Sequence, residues 1–485
     1  MSNATLASKT FDSSDQVFFA GLSGDFNPIH MDPLAARRTQ AGTAVVHGMH
    51  MVLWSLDRLV ELGVTRGGIA GLKVQFARFI PVGSKVSLKL RRRDDKSIRA
   101  ELALGGLTTT VLNLRLGKAK PGGGRVLPQE SPKAVLHDRP VELLELGAAV
   151  GLSGRMDIDG TARSVEDRFP HAAAEFGSGR VAALALLSRL VGMICPGLDS
   201  IFAGFAIDLI ETPQRRDGLW FGVSGTDERF RMILMAVNGA GIDGSVQAFL
   251  RWPPVAQASM RDIAKLVAPT EFAGSTALVV GGSRGLGALT AKVVSAGGGK
   301  VVASYATGLH EAEQLAEEIR SHVSSDACRI IPYDARRSAA DQLTELACDP
   351  SHLYYFATTP IARQKEELFV STLFDEFIQV YVKGFYDCCR VLGERTELPL
   401  TAFYPSSVFV EDGPAGLAEY SMAKIAGENL CNSINRSVGR VRVIVGRLPR
   451  LRTDQTATVP PVESSDPLQT MLPIIRKVQS SRFVS

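Results

Sequence analysis

HGMHMVLWSLDRLVELG, residues 47–63, followed by IAGLKVQFARFIPVGSKVSLKLRRR, residues 69–93, sets the architecture of the first part of the chain. Apolar residues recur at helical spacing in the first stretch and alternate as in half-buried strands in the second. A long apolar helix ahead of a strand meander predicts a helix wrapped by a curved antiparallel sheet. The pattern then returns. SGRVAALALLSRLVGM, residues 178–193, reads as a second helix, and SIFAGFAIDLIE, residues 200–211, as a strand after a Pro-Gly turn. Gly48 and Gly179 open the two helices. Ala70 with Gly71, and Ala203 with Gly204, begin the two strands at nearly the same offset. The two segments read as diverged copies of one unit.

Beyond residue 270 the pattern changes. STALVVGG (275–282), KVVASYA (300–306), RIIPYDA (329–335), HLYYFATT (352–359), LTAFYPSS (400–407) and VRVIVGRLP (441–449) are short apolar runs. Helical stretches such as residues 285–296 and 310–323 separate them. This alternation predicts a doubly wound parallel sheet. KAKPGGGRVLPQESPK, residues 118–133, lacks apolar periodicity and reads as a linker. Residues 253–262 form a weaker boundary. Three domains are expected, at 1–120, 121–260 and 270–485.

Composition restricts the class. The chain has 485 residues, 45% of them hydrophobic and 21% charged, with a net charge of +4. That describes a globular protein of several domains, with too little basic excess for a nucleic-acid binder. Arg91, Arg92 and Arg93 form a basic cluster that reads as a solvated face or a contact for a phosphate-bearing partner. Charges or glycines break the apolar runs before a membrane-spanning length, and MSNATLASKTFDSSD lacks the apolar stretch of a secretory signal. Six scattered cysteines (Cys195, Cys328, Cys348, Cys388, Cys389 and Cys431) show no metal-ligand spacing. They read as reduced thiols, so a cytoplasmic protein without a membrane partner or a metal is expected.

Two constellations carry chemistry. In SGDFNPIHMDPLAA, residues 23–36, Asp25 and His30 stand five residues apart, and VVHGM, residues 45–49, follows. An acid, an amide and an imidazole in one Pro-containing segment place two acid/base groups beside one water, as addition of water to an activated double bond requires. The run resembles the MaoC-like, R-specific enoyl-thioester hydratase/dehydratase family with its hot-dog fold, over roughly residues 10–117. The resemblance implies that Asp25 and His30 bind and activate water, and that the Gly48 N–H stabilises the thioester enolate oxygen. A helix N-terminus suits that charge, and a glycine at 48 is expected to let the acyl chain approach the backbone. Asn27 is expected to orient the loop or the water, Pro28 to stiffen it and Asp32 to cap locally. His47 and His50 are assigned structural roles. The second copy resembles a degenerate hot-dog partner without any Asp-x4-His. His171 is its nearby imidazole, so it is expected to complete the acyl tunnel and not to catalyse. The fold class expected is an α+β double hot-dog followed by an α/β Rossmann-type sheet.

The second constellation is GGSRGLG, residues 281–287, between a strand and a helix, with Tyr420 and Lys424 far downstream. Such glycines permit a tight turn and close approach of a pyrophosphate to the helix N-terminus. Residues 272–455 resemble the short-chain dehydrogenase/reductase family. The resemblance assigns Gly281, Ser283, Arg284, Gly285, Leu286 and Gly287 to the cofactor turn, Tyr420 to proton donation, Lys424 to the cofactor ribose, and Ser407, in preference to Ser406, to polarising the carbonyl. Pro449 and Thr453 match the loop over the nicotinamide. Tyr420 and Lys424 share a helix face, where an ammonium is expected to lower the phenol pKa. The second strand of this segment ends Ala303, Ser304, Tyr305 without an acid, while Arg284 suits a 2′-phosphate, so NADPH is expected. Asp334 is placed to meet the adenine. Two departures imply an altered proton relay: Phe356, Ala357, Thr358 and Thr359 replace the family's Asn-Asn-Ala-Gly, and Tyr381 replaces its helix asparagine.

Together the two motifs predict NADPH-dependent reduction of a 3-oxoacyl thioester coupled to dehydration of the (R)-3-hydroxyacyl product, or the reverse hydration, in fatty-acyl or polyketide-type metabolism. The partner is an acyl-CoA or an acyl carrier protein thioester, and the resembled families imply a homodimer. Two alternatives stand beside this reading. One is an oxidative hydratase/3-hydroxyacyl dehydrogenase; the other is an active hydratase whose reductase domain binds NADPH as a structural or sensing module.

Overall fold

The alternation of residues 69–93 resolves into two strands on one sheet, Ile69–Phe76 and Lys85–Arg93. A computed structural model of the chain describes residues 4–121, 144–211, 218–344, 346–361, 368–395, 399–437, 439–459 and 462–481. Of the linker expected at 118–133, residues 122–133 lie outside the described residues. The chain divides into two units, Met1–Pro253 with Thr458–Pro461, and Pro254–Ala457 with Val462–Ser485.

In the first unit ten strands form one antiparallel sheet. They are β1 (Thr5–Thr10), β2 (Ile69–Phe76), β3 (Lys85–Arg93), β4 (Ser97–Leu104), β5 (Leu107–Leu116), β6 (Ser153–Asp157), β7 (Ser200–Leu209), β8 (Gly218–Asp227), β9 (Met232–Gly239) and β10 (Ile242–Leu250). Their order is β1-β3-β4-β5-β2-β7-β10-β9-β8-β6. Each half therefore has the order 1-3-4-5-2, and the halves meet through their second strands.

The repeat extends to local irregularities. The ladder skips Ala70 where β2 pairs with β5, and Ala203 where β7 pairs with β10. At the β2–β7 seam Gln75 stands opposite Gly204 and Gly71 opposite Asp208. A Cβ on Gly71 would lie 2.7 Å from the Ile207 carbonyl oxygen, and one on Gly204 2.4 Å from that of Val74. Glycine is needed at both because the strands approach too closely for a side chain.

The helices Gly48–Glu61 and Ser178–Arg189 share one core with both halves of the sheet. The second is buried along its length from Val181 and continues as a π-helical turn, Leu190–Ile194. Asp57 of the first helix accepts the N–H groups of His171 and Ala172, capping the helix Pro170–Phe176 of the second copy. Among the described residues no single helix is long and apolar enough to cross a membrane.

The second unit carries six parallel strands: β11 (Thr276–Val280), β12 (Lys300–Tyr305), β13 (Cys328–Pro332), β14 (His352–Tyr355), β15 (Leu400–Ser407) and β16 (Val441–Leu448). Their order is β13-β12-β11-β14-β15-β16, so the winding reverses between β11 and β14, where such sheets form their ligand crevice. Ala277 and Val279 enter one core and Leu278 and Val280 the other. Burial on both faces explains why these strands read as continuous apolar runs. β13 stops at Pro332, earlier than its sequence suggested, which leaves Asp334 in the loop beyond it.

Candidate functional site

The first constellation lies at a junction between the two copies. Asp25 follows the helix Ser13–Ser23 and is 2% exposed. The Asn27 N–H donates to its Oδ1 at 3.2 Å, and the Ser188 hydroxyl donates to its Oδ2 at 2.6 Å. Ser188 belongs to the second copy. The π-helical turn that follows brings Gly192 so close that a Cβ there would lie 2.2 Å from Asp25 Oδ1. Burial pushes the Asp25 carboxyl above the usual range, against the opposing charge of His30 and the hydrogen bonds from Ser188 and Asn27.

His30 sits in the single turn Pro28–Met31, capped by Asn27, whose Oδ1 accepts the Ile29 N–H. The Asn27 amide nitrogen donates to the carbonyls of Gly192, Gly197 and Leu198. Asn27 thus orients the loop, as the sequence suggested, by clamping it to the second copy. His30 Nδ1 lies 2.8 Å from the Val45 carbonyl oxygen. A carbonyl only accepts, so Nδ1 carries a proton. Asp32 caps the next turn through the N–H groups of Leu34 and Ala35.

His47 also belongs to the cluster. Its ring stacks on His30 with centroids 3.9 Å apart, and its nitrogens lie 2.9 Å from Gln16 Oε1 and 3.0 Å from the Asp25 carbonyl oxygen. One ligand-type atom from each of Asp25, His30 and His47 lies within 4.8 Å of the other two. Burial, and then the charge of His30, hold His47 well below the usual imidazole range. His50 stacks on Phe19, and burial pulls it down to about 3, which fits a structural residue.

Gly48 is the first residue of its helix, a position whose N–H has no intrahelical acceptor. The expectation that its missing side chain makes room for an acyl chain needs correction. A Cβ on Gly48 would lie 2.9 Å from Cε1 of Phe76, so the ring of Phe76 occupies that space.

In the second unit the glycine turn joins β11 to the helix Gly285–Ala296. Gly281 and Gly285 have φ values of 73° and 58°, open to glycine at little cost. A Cβ on Gly287 would lie 2.2 Å from the Gly281 carbonyl oxygen. Ser304, at the end of β12, receives the N–H of Gly281 on its hydroxyl and that of Gly282 on its carbonyl. Ser283 lies within this turn, and Leu286 is the second residue of the helix. Arg284 is the N-cap residue, and its side chain makes no cap hydrogen bond. Its guanidinium pairs with Asp454 at 3.3 Å. The Asp334 carboxylate is held by Arg336 through contacts of 2.9 and 2.7 Å. The Thr453 N–H donates to Thr456 Oγ1.

Tyr420 and Lys424 lie on the helix Ala418–Arg436, both buried. The hydroxyl of Ser407, the last residue of β15, hydrogen-bonds Tyr420, whereas Ser406 turns to Glu428 at 2.5 Å. The Lys424 ammonium donates to the Pro405 carbonyl at 2.7 Å. It faces the rings of Tyr381, Tyr404 and Tyr420 at 4.0, 4.9 and 5.8 Å. Burial pulls Lys424 down to about 7. The expected lowering of the Tyr420 phenol by Lys424 does not hold: burial pushes it up to about 12, with the Ser407 hydrogen bond opposing. Tyr381 fills the interior beside them, its hydroxyl 2.7 Å from that of Thr358.

Sequence reasoning did not single out Ser188, Gly192, Gln16, Phe76 or Asp454. Ser188 alone left a trace, as a hydroxyl interrupting an otherwise apolar buried run.

Residues 3–112 match the MaoC like domain family, and residues 275–461 match the short chain dehydrogenase family. Over 105 residues the chain is 30% identical to an (R)-specific enoyl-CoA hydratase from Aeromonas caviae, covering 21% of this chain and 76% of that protein. Among solved structures, a dehydrogenase/reductase from Sinorhizobium meliloti 1021 is 21% identical with a TM-score of 0.38, covering 43% of this chain and 90% of that one. A short chain dehydrogenase from Burkholderia cenocepacia J2315 in complex with NADP is 19% identical with the same TM-score, covering 43% and 94%.

Proposed function

The chain belongs to the MaoC-like dehydratase family through residues 3–112 and carries a short-chain dehydrogenase domain over residues 275–461, and from that premise we propose a bifunctional acyl-thioester enzyme. One domain reduces a 3-oxoacyl thioester with NADPH. The other, read as a double hot-dog spanning domains 1–120 and 121–260, dehydrates the (R)-3-hydroxyacyl product or hydrates the enoyl thioester. The domain at 270–485 is read as the Rossmann-type reductase. The product of one reaction is the substrate of the other, and fusion keeps a carrier-bound intermediate local.

The observation that carries the hydratase reading is the convergence of Asp25, His30 and His47 beside the uncapped start of the helix at Gly48. In hydration, water held between Asp25 and His30 adds through its oxygen to C3 of the enoyl thioester. Its proton passes to the pair, and the enolate oxygen faces the Gly48 N–H. A proton returned from the pair to C2 completes the (R)-3-hydroxyacyl thioester. Ser188 holds the Asp25 carboxylate in place, and Val45 fixes the tautomer of His30.

For the reductase, the residues present fit a dinucleotide. The glycine turn leaves no room for side chains at Gly287, and the helix start carries no side-chain cap. Gly281, Ser283, Arg284, Gly285, Leu286 and Gly287 would hold the pyrophosphate end, with Asp334 near the adenine and Thr453 in the covering loop. NADPH, when bound, supplies the hydride. Tyr420, hydrogen-bonded to Ser407, gives its proton to the carbonyl oxygen. Arg284 is assigned to the 2′-phosphate and would exchange its contact with Asp454 for that anion.

A second reading has a specific observation behind it. Tyr381 fills the position of the relay asparagine, and Lys424 is committed to the Pro405 carbonyl. Both favour a reductase domain that binds NADPH without turnover. The test mixes the protein with acetoacetyl-CoA and NADPH, then measures crotonyl-CoA hydration separately. Asp25→Asn should abolish hydration and spare NADPH oxidation, and Tyr420→Phe should do the reverse. NADPH binding without oxidation on both CoA and carrier-protein thioesters would establish the second reading.

A further inference from the structure

We propose that Phe76, backed by Phe202 and Phe205, walls the acyl end of the hydratase site and restricts it to short-chain thioesters; this rests on the hydratase reading above. The ring of Phe76 lies against the start of the Gly48–Glu61 helix. A Cβ on Gly48 would meet its Cε1, Cζ and Cδ1 at 2.9, 3.1 and 3.2 Å. In the proposed pose an acyl chain leaving a carbonyl held by the Gly48 N–H runs against this ring.

The ring has support behind it. Its centroid is 5.0 Å from that of Phe202 and 6.5 Å from that of Phe205, and the latter two are 6.0 Å apart. Phe76 ends β2 of the first copy, while Phe202 and Phe205 lie on β7 of the second. The two strands pair directly, Val74 opposite Phe205. The wall is thus built across the seam that the close approach at Gly71 and Gly204 holds tight. Phe205 is fully packed, whereas Phe76 and Phe202 are only partly buried though they border the core. Packed rings yield little to added volume, so each methylene beyond the wall costs binding in the transition state. In this reading the degenerate copy selects chain length through Phe202 and Phe205.

The experiment measures kcat/KM for hydration of trans-2-enoyl-CoA substrates of four, eight and twelve carbons. It uses the full chain as wild type, Phe76→Ala, Phe76→Leu and Phe202→Ala. The wild type should prefer the four-carbon substrate over the eight-carbon one by about tenfold or more. Phe76→Ala should shift that ratio toward eight carbons by about tenfold or more, with Phe76→Leu between. Should Phe76→Ala fail to fold, Phe76→Leu and Phe202→Ala carry the comparison. Equal wild-type rates on four and twelve carbons, or an unchanged ratio in folded variants that still hydrate crotonyl-CoA, would overturn the proposal. Absence of wild-type hydration at every length would instead refute the hydratase reading and the wall with it.

Discussion

Ser188→Ala separates the contribution of the second copy from that of the first. The Ser188 hydroxyl donates to Asp25 Oδ2 at 2.6 Å in a site where both residues are buried. A hydrogen bond to a charged group contributes about 1.5–3 kcal/mol. Losing the bond should therefore raise the Asp25 carboxyl further and disfavour the carboxylate by about tenfold or more. Burial already holds that carboxyl above its usual range, and Ser188 is among the groups that pull it back. The sign follows. Hydration needs the ionised carboxylate, so activity is present above the folded-state pKa and is lost as pH falls through it. In Ser188→Ala this acidic limb should move to higher pH, and kcat/KM on the limb should fall by about tenfold or more. The assay is kcat/KM for crotonyl-CoA hydration against pH, with NADPH oxidation followed in parallel as a control for the other unit. Ser188→Thr, which keeps a hydroxyl, should restore the limb. An acidic limb that stays in place in a folded Ser188→Ala protein would refute the argument.

Three further outcomes are expected. Gly204→Ala should destabilise the first unit by about 1–3 kcal/mol, because its Cβ would fall 2.4 Å from the Val74 carbonyl oxygen; a urea midpoint equal to that of the wild type would contradict the seam geometry. Arg284→Gln should weaken NADPH binding by about tenfold or more and leave NADH binding nearly unchanged, as read by fluorescence titration; equal loss for both cofactors would remove Arg284 from the 2′-phosphate. Burial lowers Lys424 from 10.5 to about 7, so between those values the unfolded chain binds more protons and stability rises with pH. Lys424→Met should therefore gain stability over the wild type at pH 6 by roughly 3–5 kcal/mol, a difference that shrinks as pH approaches 10; parallel urea-stability curves from pH 6 to 9 would count against a depressed Lys424.

Much of the fold was legible because its signals are short-range. The strand Leu400–Ser407 and the helix Gly285–Ala296 fall where the periodicity put them, and the paired Ala-Gly offsets mark a real repeat, down to the skipped residues Ala70 and Ala203. The local geometry of Asn27, Pro28, His30 and Asp32 was legible for the same reason, since caps and turns reach only two or three residues. The charge balance of the reductase site was not. Tyr420 and Lys424 share a helix face, as their spacing required, but the Lys424 ammonium turns to the Pro405 carbonyl and the phenol responds to burial. Burial depends on what packs above a helix face, which spacing along the helix does not report.

The sequence by itself determined the element types, the repeat and the two clusters of reactive groups, because periodicity, capping and turn chemistry act between near neighbours in the chain. Only the tertiary structure decided which groups meet those clusters. Ser188 reaches Asp25 across 163 residues, and Asn27 reaches Gly192 across 165. Phe76 fills the space that Gly48 leaves open, and Asp454 meets Arg284. Such contacts follow from how strands pair and helices pack, and no local pattern in the chain encodes them.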